Sequence, residues 1–403
     1  MKKVLVIPGA FVPSNDTVTL LTYKHLRLLD YQFDVCALKR KEDKTIIKDL
    51  EKDPNYQKFT IKYLANYDDI IMNMDNKKVI SGMRKMFKYI DDCIKVFEEG
   101  DYETIYTSSI PCFTHLVGHR IKKKYPHVKW IASFSDPIYK SPYKVDKETI
   151  KEYSLIEKMG FFFYINTYMN SNFEKVAMAN ADKLIFISEN QKNFMLNNYK
   201  IDYSNKSFVI PLNYIKDWNI YSNLLEKSHQ INAKITMVHM GRIYGLRKID
   251  SFLIALANLD QDILAKIEVH NYGFIQGRYL KMIKELGLEK VFLIKDYVPY
   301  EEAMQKLKDA DVLLIFDTIM DGEIQPYLPS KILEYLILDK PILAVSQANS
   351  PVYELLKEND YVSNKTATLR KMIEKLVNNY HLVSHNAVEN KEIKEVMTEI
   401  FEG

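Results

Sequence analysis

Two arginines in the second half of the chain could bind a polyanion together. The aliphatic run from Ile235 to Met240 predicts a strand, and the segment Gly241-Arg242-Ile243-Tyr244-Gly245-Leu246-Arg247-Lys248 follows it. A glycine allows a sharp turn where the strand ends, and two guanidinium groups in one loop can reach the same diphosphate. The alternative is an ordinary strand-to-helix connection with two surface arginines. This segment alone does not decide between them.

A second segment, Pro326 to Leu336, adds complementary chemistry. Its two prolines precede an apolar helical pattern, which predicts a helix whose N-terminal amides and dipole favour a phosphate. Lys331 adds positive charge there, and Glu334 lies on the same helix face, where a carboxylate can accept hydrogen bonds from adjacent hydroxyls such as those of a ribose. Singly, Lys331 could face solvent and Glu334 could complement the helix dipole. Together they predict a nucleotide site.

The first half of the chain carries candidates for a second ligand. Asp136 follows a predicted strand and could contact a sugar hydroxyl or cap a turn. His115 lies on a predicted helix together with His119 and either faces the ligand or packs in the core. Without a third ligand this pair does not predict a metal site. Gly9 opens the first loop, where the backbone could approach a ligand closely.

These segments belong to an alternation of strands and helices that predicts parallel sheets and an α/β fold. One series of strands is predicted at Lys3 to Ile7, Asp34 to Leu38, Thr104 to Thr107, Lys129 to Ser133, Lys183 to Ile187 and Phe208 to Ile210. A second series is predicted at Ile235 to Met240, Lys266 to His270, Val291 to Ile294, Val312 to Phe316 and Pro341 to Val345. A polar stretch separates the two series. We therefore predict domains over 1–215 and 216–380, with a helical tail over 381–403 that packs back across both.

Composition narrows the function classes. The 403 residues, 47% hydrophobic and 27% charged, are typical of a globular protein with more than one core. A net charge of +3 is too small to indicate nucleic acid as the main partner. The three cysteines, Cys36, Cys93 and Cys112, lack metal-ligand spacing and favour a reducing compartment, the cytoplasm.

The apolar segments do not predict a spanning helix. The stretch from Gly160 to Met169 is shorter than the ~20 residues that a membrane span needs. The N-terminal apolar run is interrupted at Pro8 and reads as a first strand. The aromatic residues Phe161 to Tyr164 and Tyr168 predict a core helix, with peripheral membrane contact as the functional alternative.

Taken in order, several motifs resemble the donor-site motifs of GT-B glycosyltransferases. They are Gly241-Arg242, Arg247, the segment Lys331 to Glu334, and Lys340-Pro341-Ile342. The resemblance is closer to the retaining, glycogen-synthase-like group, glycosyltransferase family four. It covers essentially the C-terminal half, including Tyr272-Gly273, Asp296-Tyr297-Val298-Pro299 and Ala310 to Leu314. It implies two Rossmann-like domains facing across a cleft, with the acceptor on the first, the nucleotide-sugar on the second and a C-terminal helix crossing back.

The resemblance also implies residue roles. Arg242, Arg247 and Lys331 would neutralise the donor diphosphate during catalysis, and Glu334 would hold the ribose. The implied donor-binding residues are Gly241, Tyr244, Gly245, Gly273, Tyr297, Val298, Ser330 and Glu334, with Tyr297 and Val298 flanking the base. Two positions depart from the family pattern: Arg247 replaces a lysine, and Pro326 stands where a first glutamate is expected. Glu323 is a candidate substitute for that glutamate.

The implied function is sugar transfer from a nucleotide-sugar, such as a UDP-sugar, to a glycan or lipid-linked acceptor in bacterial surface polysaccharide or glycoconjugate synthesis. The resemblance implies a retaining reaction without metal and without a cofactor other than the donor co-substrate. We expect a cytoplasmic protein, with peripheral association at the inner face of the membrane as a further expectation. Two alternatives stay open, a nucleotide-sugar epimerase and a catalytically inactive GT-B subunit that supports an active transferase.

Overall fold

The chain folds into two units, each built on one parallel sheet. The computed structural model describes residues 2–14, 17–40, 50–75, 79–144, 169–200, 202–212, 234–320, 322–338, 340–358, 361–381, 383, 385 and 390–403. One unit comprises Met1–Asn213 and Val388–Gly403, and the other comprises Tyr214–Ala387. The predicted boundary near Ile215 and the aromatic residues Phe161 to Tyr164 and Tyr168 lie outside the described residues.

The first unit has seven described strands. They are β1 Lys3–Gly9, β2 Gln32–Lys39, β3 Phe59–Asn66, β4 Thr104–Ser108, β5 Lys129–Ser133, β6 Lys183–Phe186 and β7 Ser207–Val209. Their order in the sheet is β3-β2-β1-β4-β5-β6-β7, and all pairs are parallel. The described helices before residue 213 are α1 Thr17–Leu26, α2 Tyr67–Asp75, α3 Val79–Glu99, α4 Thr114–Lys124, α5 Met169–Asn180 and α6 Glu189–Tyr199.

The second unit repeats this plan with six described strands. They are β8 Ile235–Met240, β9 Ile267–Tyr272, β10 Phe292–Lys295, β11 Val312–Phe316, β12 Ile342–Val345 and β13 Tyr361–Ser363, in the parallel order β10-β9-β8-β11-β12-β13. Its described helices are α7 Asp250–Ala257, α8 Gln261–Leu264, α9 Gly277–Glu285, α10 Tyr300–Asp309, α11 Ile332–Leu336, α12 Pro351–Leu356 and α13 Thr366–Asn378. In both units the strand order reverses between the first and the fourth strand, and ligands of such sheets bind at that switch point.

The eleven predicted strands are confirmed, and the structure adds two that the sequence patterns did not indicate. Both additions, β3 and β13, lie at the edges of their sheets. Strand β3 is only partly buried and leaves Tyr63 exposed, so it lacks a continuous apolar run. Strand β13 has only three residues. A partly polar segment and a three-residue segment both fall short of the apolar run or alternation that predicts a strand.

The last helix, α14 Asn390–Glu402, returns to the first unit. The Phe401 ring lies 5.4 Å from the Tyr31 ring and 6.3 Å from the Tyr106 ring. Lys129 Nζ donates to the Phe401 carbonyl at 3.0 Å, and Lys394 pairs with Asp30 at 3.1 Å. Aromatic packing and a backbone contact therefore attach the predicted tail to the unit from which the chain starts.

Candidate donor and acceptor sites

The candidate donor site lies on the second unit, in the loops after β8 and β11. These two strands are neighbours at the switch point, with Leu313 paired to Val238. The first loop carries Gly241, Arg242 and Arg247, and the second leads to Lys331 and Glu334. Residues that are about ninety positions apart in sequence are therefore brought to the same edge of the sheet.

Two glycines let the backbones after β8 and β9 approach each other. Gly241 N donates to the Tyr272 carbonyl at 2.9 Å, and the φ angles of Gly241 and Gly273 are +150° and +133°. A Cβ atom on Gly273 would lie 2.7 Å from the Gly241 carbonyl oxygen, and one on Gly241 would collide with the Lys331 amine. Gly273 therefore requires glycine for conformation and for space, and Gly241 requires it for conformation.

The Lys331 amine lies against the carboxyl end of β8. Its Nζ donates to the Met240 carbonyl, although Lys331 as a residue is exposed. Burial of the amine, together with the positive charges of Arg247 and Arg242, lowers its pKa to about 8, and Glu334 partly opposes this shift. A bound anion would relieve that charge crowding.

The two arginines share one curled loop. Arg247 Nη1 donates to the Arg242 carbonyl at 2.7 Å, and the Arg247 guanidinium lies 5.7 Å from the centre of the Tyr244 ring. Gly245 has a φ of +57°, which permits the turn closed by Arg247 N and the Tyr244 carbonyl at 3.1 Å. Arg242 is exposed and Arg247 is half-buried. The loop thus presents two guanidinium groups beside the Lys331 amine.

Glu334 supplies an acceptor next to these cations. Its Oε2 atom is buried and has no hydrogen-bond partner among the described residues. The next residue, Tyr335, accepts a hydrogen bond from Met240 N at 3.2 Å, which ties α11 to β8. A buried carboxylate oxygen is costly without a donor, so a ligand hydroxyl would stabilise it.

The helix after the prolines does not begin with the free amides that the sequence predicted. It begins at Ile332 and has five residues. The Ile332 and Leu333 amides donate to the carbonyls of Pro329 and Ser330 at 3.1 and 3.2 Å. These two amides are therefore already engaged, and the positive charge of the site comes mainly from side chains. Ser330 is half-buried in the turn before the helix.

His239 belongs to this site and was missed by pattern analysis. Its Nδ1 lies 3.0 Å from the Leu314 carbonyl, so Nδ1 carries the proton and Nε2 is an acceptor without a partner among the described residues. Burial and then the charge of Lys331 lower its pKa to about 3. A single histidine within a strand is also typical of an ordinary core position, so no pattern in the sequence marks His239 as part of the site.

Two exposed aromatic side chains flank the same sheet edge. Tyr297 is 71% exposed and follows β10, and Phe274 is 53% exposed and follows β9. The strands are paired, with Lys295 opposite Tyr272. Tyr297 was predicted to flank a base together with Val298, which is half-buried, whereas Phe274 was not singled out from the sequence.

The first unit places the three acceptor-side candidates differently. Gly9 has a φ of +79°, and a Cβ there would lie 2.5 Å from Pro111 Cδ, so the loops after β1 and β4 touch. Asp136 is half-buried in the loop after β5. His115 is fully buried, with Nδ1 2.8 Å from Thr107 Oγ1, and burial lowers its pKa to about 3. Burial favours the packing interpretation of His115, and acceptor contact by it stays an unsupported prediction.

A buried carboxylate positions the loop that carries Asp136. Glu174 accepts hydrogen bonds from Ile138 N at 2.7 Å, from Tyr139 N at 3.0 Å and from the Tyr199 hydroxyl at 2.6 Å. Burial and the nearby Glu174 carboxylate raise the pKa of Tyr199. Nothing in the sequence around Glu174 indicated this role, since its partners are distant along the chain.

The described residues contain no group of three His, Cys, Asp or Glu side chains arranged to hold a metal ion. No helix in the described part of the chain is long and apolar enough to cross a bilayer.

Comparison with known proteins places the fold. No family model matches the sequence, and no curated protein matches it at the sequence level. Among solved structures, sucrose-phosphate synthase from Thermosynechococcus elongatus superposes with a TM-score of 0.64 at 13% identity, covering 100% of this chain and 98% of that one. Anabaena HepE in complex with UDP and glucose gives 0.62 at 12% identity, covering 100% of both chains. The lipopolysaccharide outer core galactosyltransferase WaaB gives 0.55 at 13% identity, covering 99% and 94%.

These neighbours confirm the predicted fold class. The chain has the GT-B fold of two Rossmann-like units.

Proposed function

We propose that the protein is a glycosyltransferase that takes its sugar from a nucleotide-sugar bound on the second unit. One observation carries the proposal: the side chains of Arg242, Arg247 and Lys331 lie close together around Gly241. Beside them is a buried Glu334 oxygen that lacks a partner among the described residues. A site for a simple anion would not include a carboxylate, which repels it. A ligand with both a diphosphate and a neighbouring diol satisfies both parts of the site.

The cations have a direct role in the transfer step. The bond between the anomeric carbon and the diphosphate oxygen breaks, and its electrons leave with the diphosphate. Charges preorganised around that oxygen lower the barrier because they are in place before the charge develops. The acceptor hydroxyl forms the new bond from the leaving-group face, and its proton passes to the departing diphosphate. This course retains the anomeric configuration and needs neither a protein nucleophile nor a metal ion.

The solved neighbours support a UDP-sugar as the first donor to test. HepE was crystallised with UDP and with UDP-glucose. A further neighbour of similar fold, a variant of S. aureus TarM, was crystallised with UDP and α-GlcNAc-glycerol. We further propose a glycan or lipid-linked acceptor in surface polysaccharide synthesis, contact of the acceptor with the loop around Asp136, and a cytoplasmic enzyme at the inner face of the membrane. Membership of glycosyltransferase family four is part of this proposal.

The test is nucleotide binding and transfer by three variants. We expect Arg242→Ala, Arg247→Ala and Glu334→Ala each to weaken UDP binding about tenfold or more and to remove most transfer, because each deletes one ligand contact. Arg370→Ala is the matched control, since Arg370 lies on α13 of the same unit and pairs with Glu374 at 2.7 Å. Calorimetry with UDP and GDP gives the affinities, and circular dichroism checks the fold.

The outcomes also separate the alternatives. Full activity in any two of the three variants contradicts the site assignment. An epimerase converts the nucleotide-sugar without an acceptor, so product analysis with donor alone identifies it. A subunit that has lost donor binding gives no heat with either nucleotide.

A further inference from the structure

The connection between β11 and α11 is irregular yet largely buried. In the described residues from Asp317 to Lys331 no helix or strand is present, but Ile319, Met320 and Gln325 are buried. Buried irregular backbone must have its polar groups satisfied by other groups. The hydrogen bonds of this loop therefore identify the groups that hold the backbone leading to Lys331.

Asp317 holds the beginning of the loop. It follows β11 directly, and its side chain accepts from Thr318 N at 2.8 Å, from Gln325 Nε2 at 2.8 Å and from Ser346 Oγ at 2.6 Å. Ser346 lies after β12, so the carboxylate joins two strand ends. Burial raises the pKa of the Asp317 carboxyl, and the positive charge of Arg247 is one of the causes that oppose this rise.

Two buried amide side chains hold further parts of the loop, and Gln325 is the one bonded to Asp317. Gln325 Oε1 accepts from Tyr327 N at 2.5 Å, and Gln347 Oε1 accepts from Met320 N at 2.6 Å. Gln347 Nε2 also donates to the Glu323 carbonyl at 3.0 Å. The backbone is thus held at Thr318, Met320, Glu323 and Tyr327 by three buried side chains, and the last of these attachments lies four residues before Lys331.

The network also reaches the arginine loop. Ile319 N donates to the Leu246 carbonyl at 2.9 Å, immediately before Arg247. A displacement of Asp317 would therefore move both loops of the donor site.

We propose that Asp317 is a positioning residue of the donor site, which acts through Gln325 and Ile319 to set Lys331 and the arginine loop. The inference rests on the proposed function because it takes Lys331 and the arginine loop to be the donor site. The hydrogen bonds themselves do not depend on that function. It predicts that removal of the Asp317 carboxylate loosens residues 322–336 and weakens nucleotide binding beyond what lower stability alone explains.

Asp311 provides a matched control at the other end of the same strand. It is also a buried aspartate, and its Oδ2 accepts from Thr236 N at 2.8 Å at the amino edge of the sheet. Loss of either carboxylate removes the acceptor of a backbone amide and lowers stability. Asp317, by contrast, bonds to Thr318 and Gln325 of the loop that leads to the site.

The experiment compares the full-length wild type with Asp317→Ala, Asp317→Asn and Asp311→Ala. We expect Asp317→Ala and Asp311→Ala to lower the melting temperature by similar amounts. In hydrogen exchange by mass spectrometry, only Asp317→Ala should speed exchange across 322–336. Calorimetry at a temperature where all variants are folded should show UDP affinity at least tenfold weaker in Asp317→Ala and within twofold of wild type in Asp311→Ala. In Asp317→Asn, the amide oxygen can still accept from Thr318 and Gln325, so affinity should be largely kept.

Equal exchange over 322–336 in the two alanine variants overturns the positioning role, whatever UDP does. Unchanged UDP affinity in Asp317→Ala, in a protein whose wild type binds UDP, overturns it as well. Absence of UDP binding by the wild type counts instead against UDP as the nucleotide of the proposed function, and the exchange comparison still decides the role of Asp317.

Discussion

The two units share a strand order around the switch point, but the carboxyl ends of their central strands differ in chemistry. In the first unit the edge is rich in buried hydroxyl groups: Ser109 and Ser135 contact each other at 3.3 Å, and Thr114 donates to the Ser108 carbonyl at 2.6 Å. In the second unit the edge carries three cations and a carboxylate oxygen without a partner among the described residues. The difference supports our proposal that the anionic ligand binds to the second unit, because one backbone plan can serve different ligands through its loops.

The units are alike in how they hold their loops. A buried carboxylate accepts backbone N–H groups in each, Glu174 from Ile138 and Tyr139, and Asp317 from Thr318. Rigid positioning is therefore common to both edges, and charge is what separates them. Variants that break one edge should leave the ligand of the other edge unaffected.

The largest effect is expected from the glycine that brings β8 and β9 together. Gly273→Ala places a Cβ against the Gly241 backbone and forces an unfavourable φ, with a cost of roughly 1–3 kcal/mol from the backbone alone. We expect UDP binding to be lost in calorimetry, because the loop of Arg242 must move.

Two other glycines sharpen this comparison. Gly277→Ala is the neutral control, since a Cβ there meets nothing within 4 Å. Gly9→Ala crowds Pro111 in the first unit and should lower stability while the folded protein still binds UDP. Loss of UDP binding in Gly9→Ala to the same degree as in Gly273→Ala would contradict the assignment of the donor to the second unit.

An intermediate effect is expected at Glu334. If its unpartnered oxygen accepts from the ribose, Glu334→Ala should weaken UDP binding by about 10- to 100-fold, the cost of a charged hydrogen bond. The wild type should bind 2′-deoxyuridine diphosphate more weakly than UDP, and Glu334→Ala should bind both equally. A preference for UDP that persists in the variant places the ribose elsewhere.

The sequence predicted the regular parts of this molecule because buried parallel strands leave continuous apolar runs, such as Val312 to Phe316. It singled out Arg242, Arg247, Lys331 and Glu334 because their residue types and order carry chemistry, and the structure brings them to one sheet edge, while their roles in binding stay predictions. It could not find Asp317, Glu174 or His239, whose roles depend on partners brought close by folding. The prediction of free amides at the start of the helix after the prolines was wrong, because the carbonyls of Pro329 and Ser330 accept hydrogen bonds from the first two amides.

The smallest effect is a pH dependence that belongs to the second unit alone. In the free protein burial and the arginines lower the pKa of Lys331 to about 8, and a bound diphosphate raises it again. Binding therefore takes up a proton, and UDP affinity should fall several-fold as the pH rises from 7 through 8 toward 9.

Lys331→Arg is the control, because a guanidinium keeps its charge over this range. It should bind UDP with a nearly flat profile, which also reports any titration of the nucleotide itself. His115, the buried histidine of the first unit, has a pKa of about 3 and stays neutral throughout, so it adds no slope. If UDP affinity has the same pH slope in the wild type and in Lys331→Arg, the Lys331 amine does not face the bound phosphate. Arg242 and Arg247 would then be the cations of this site that bind the diphosphate.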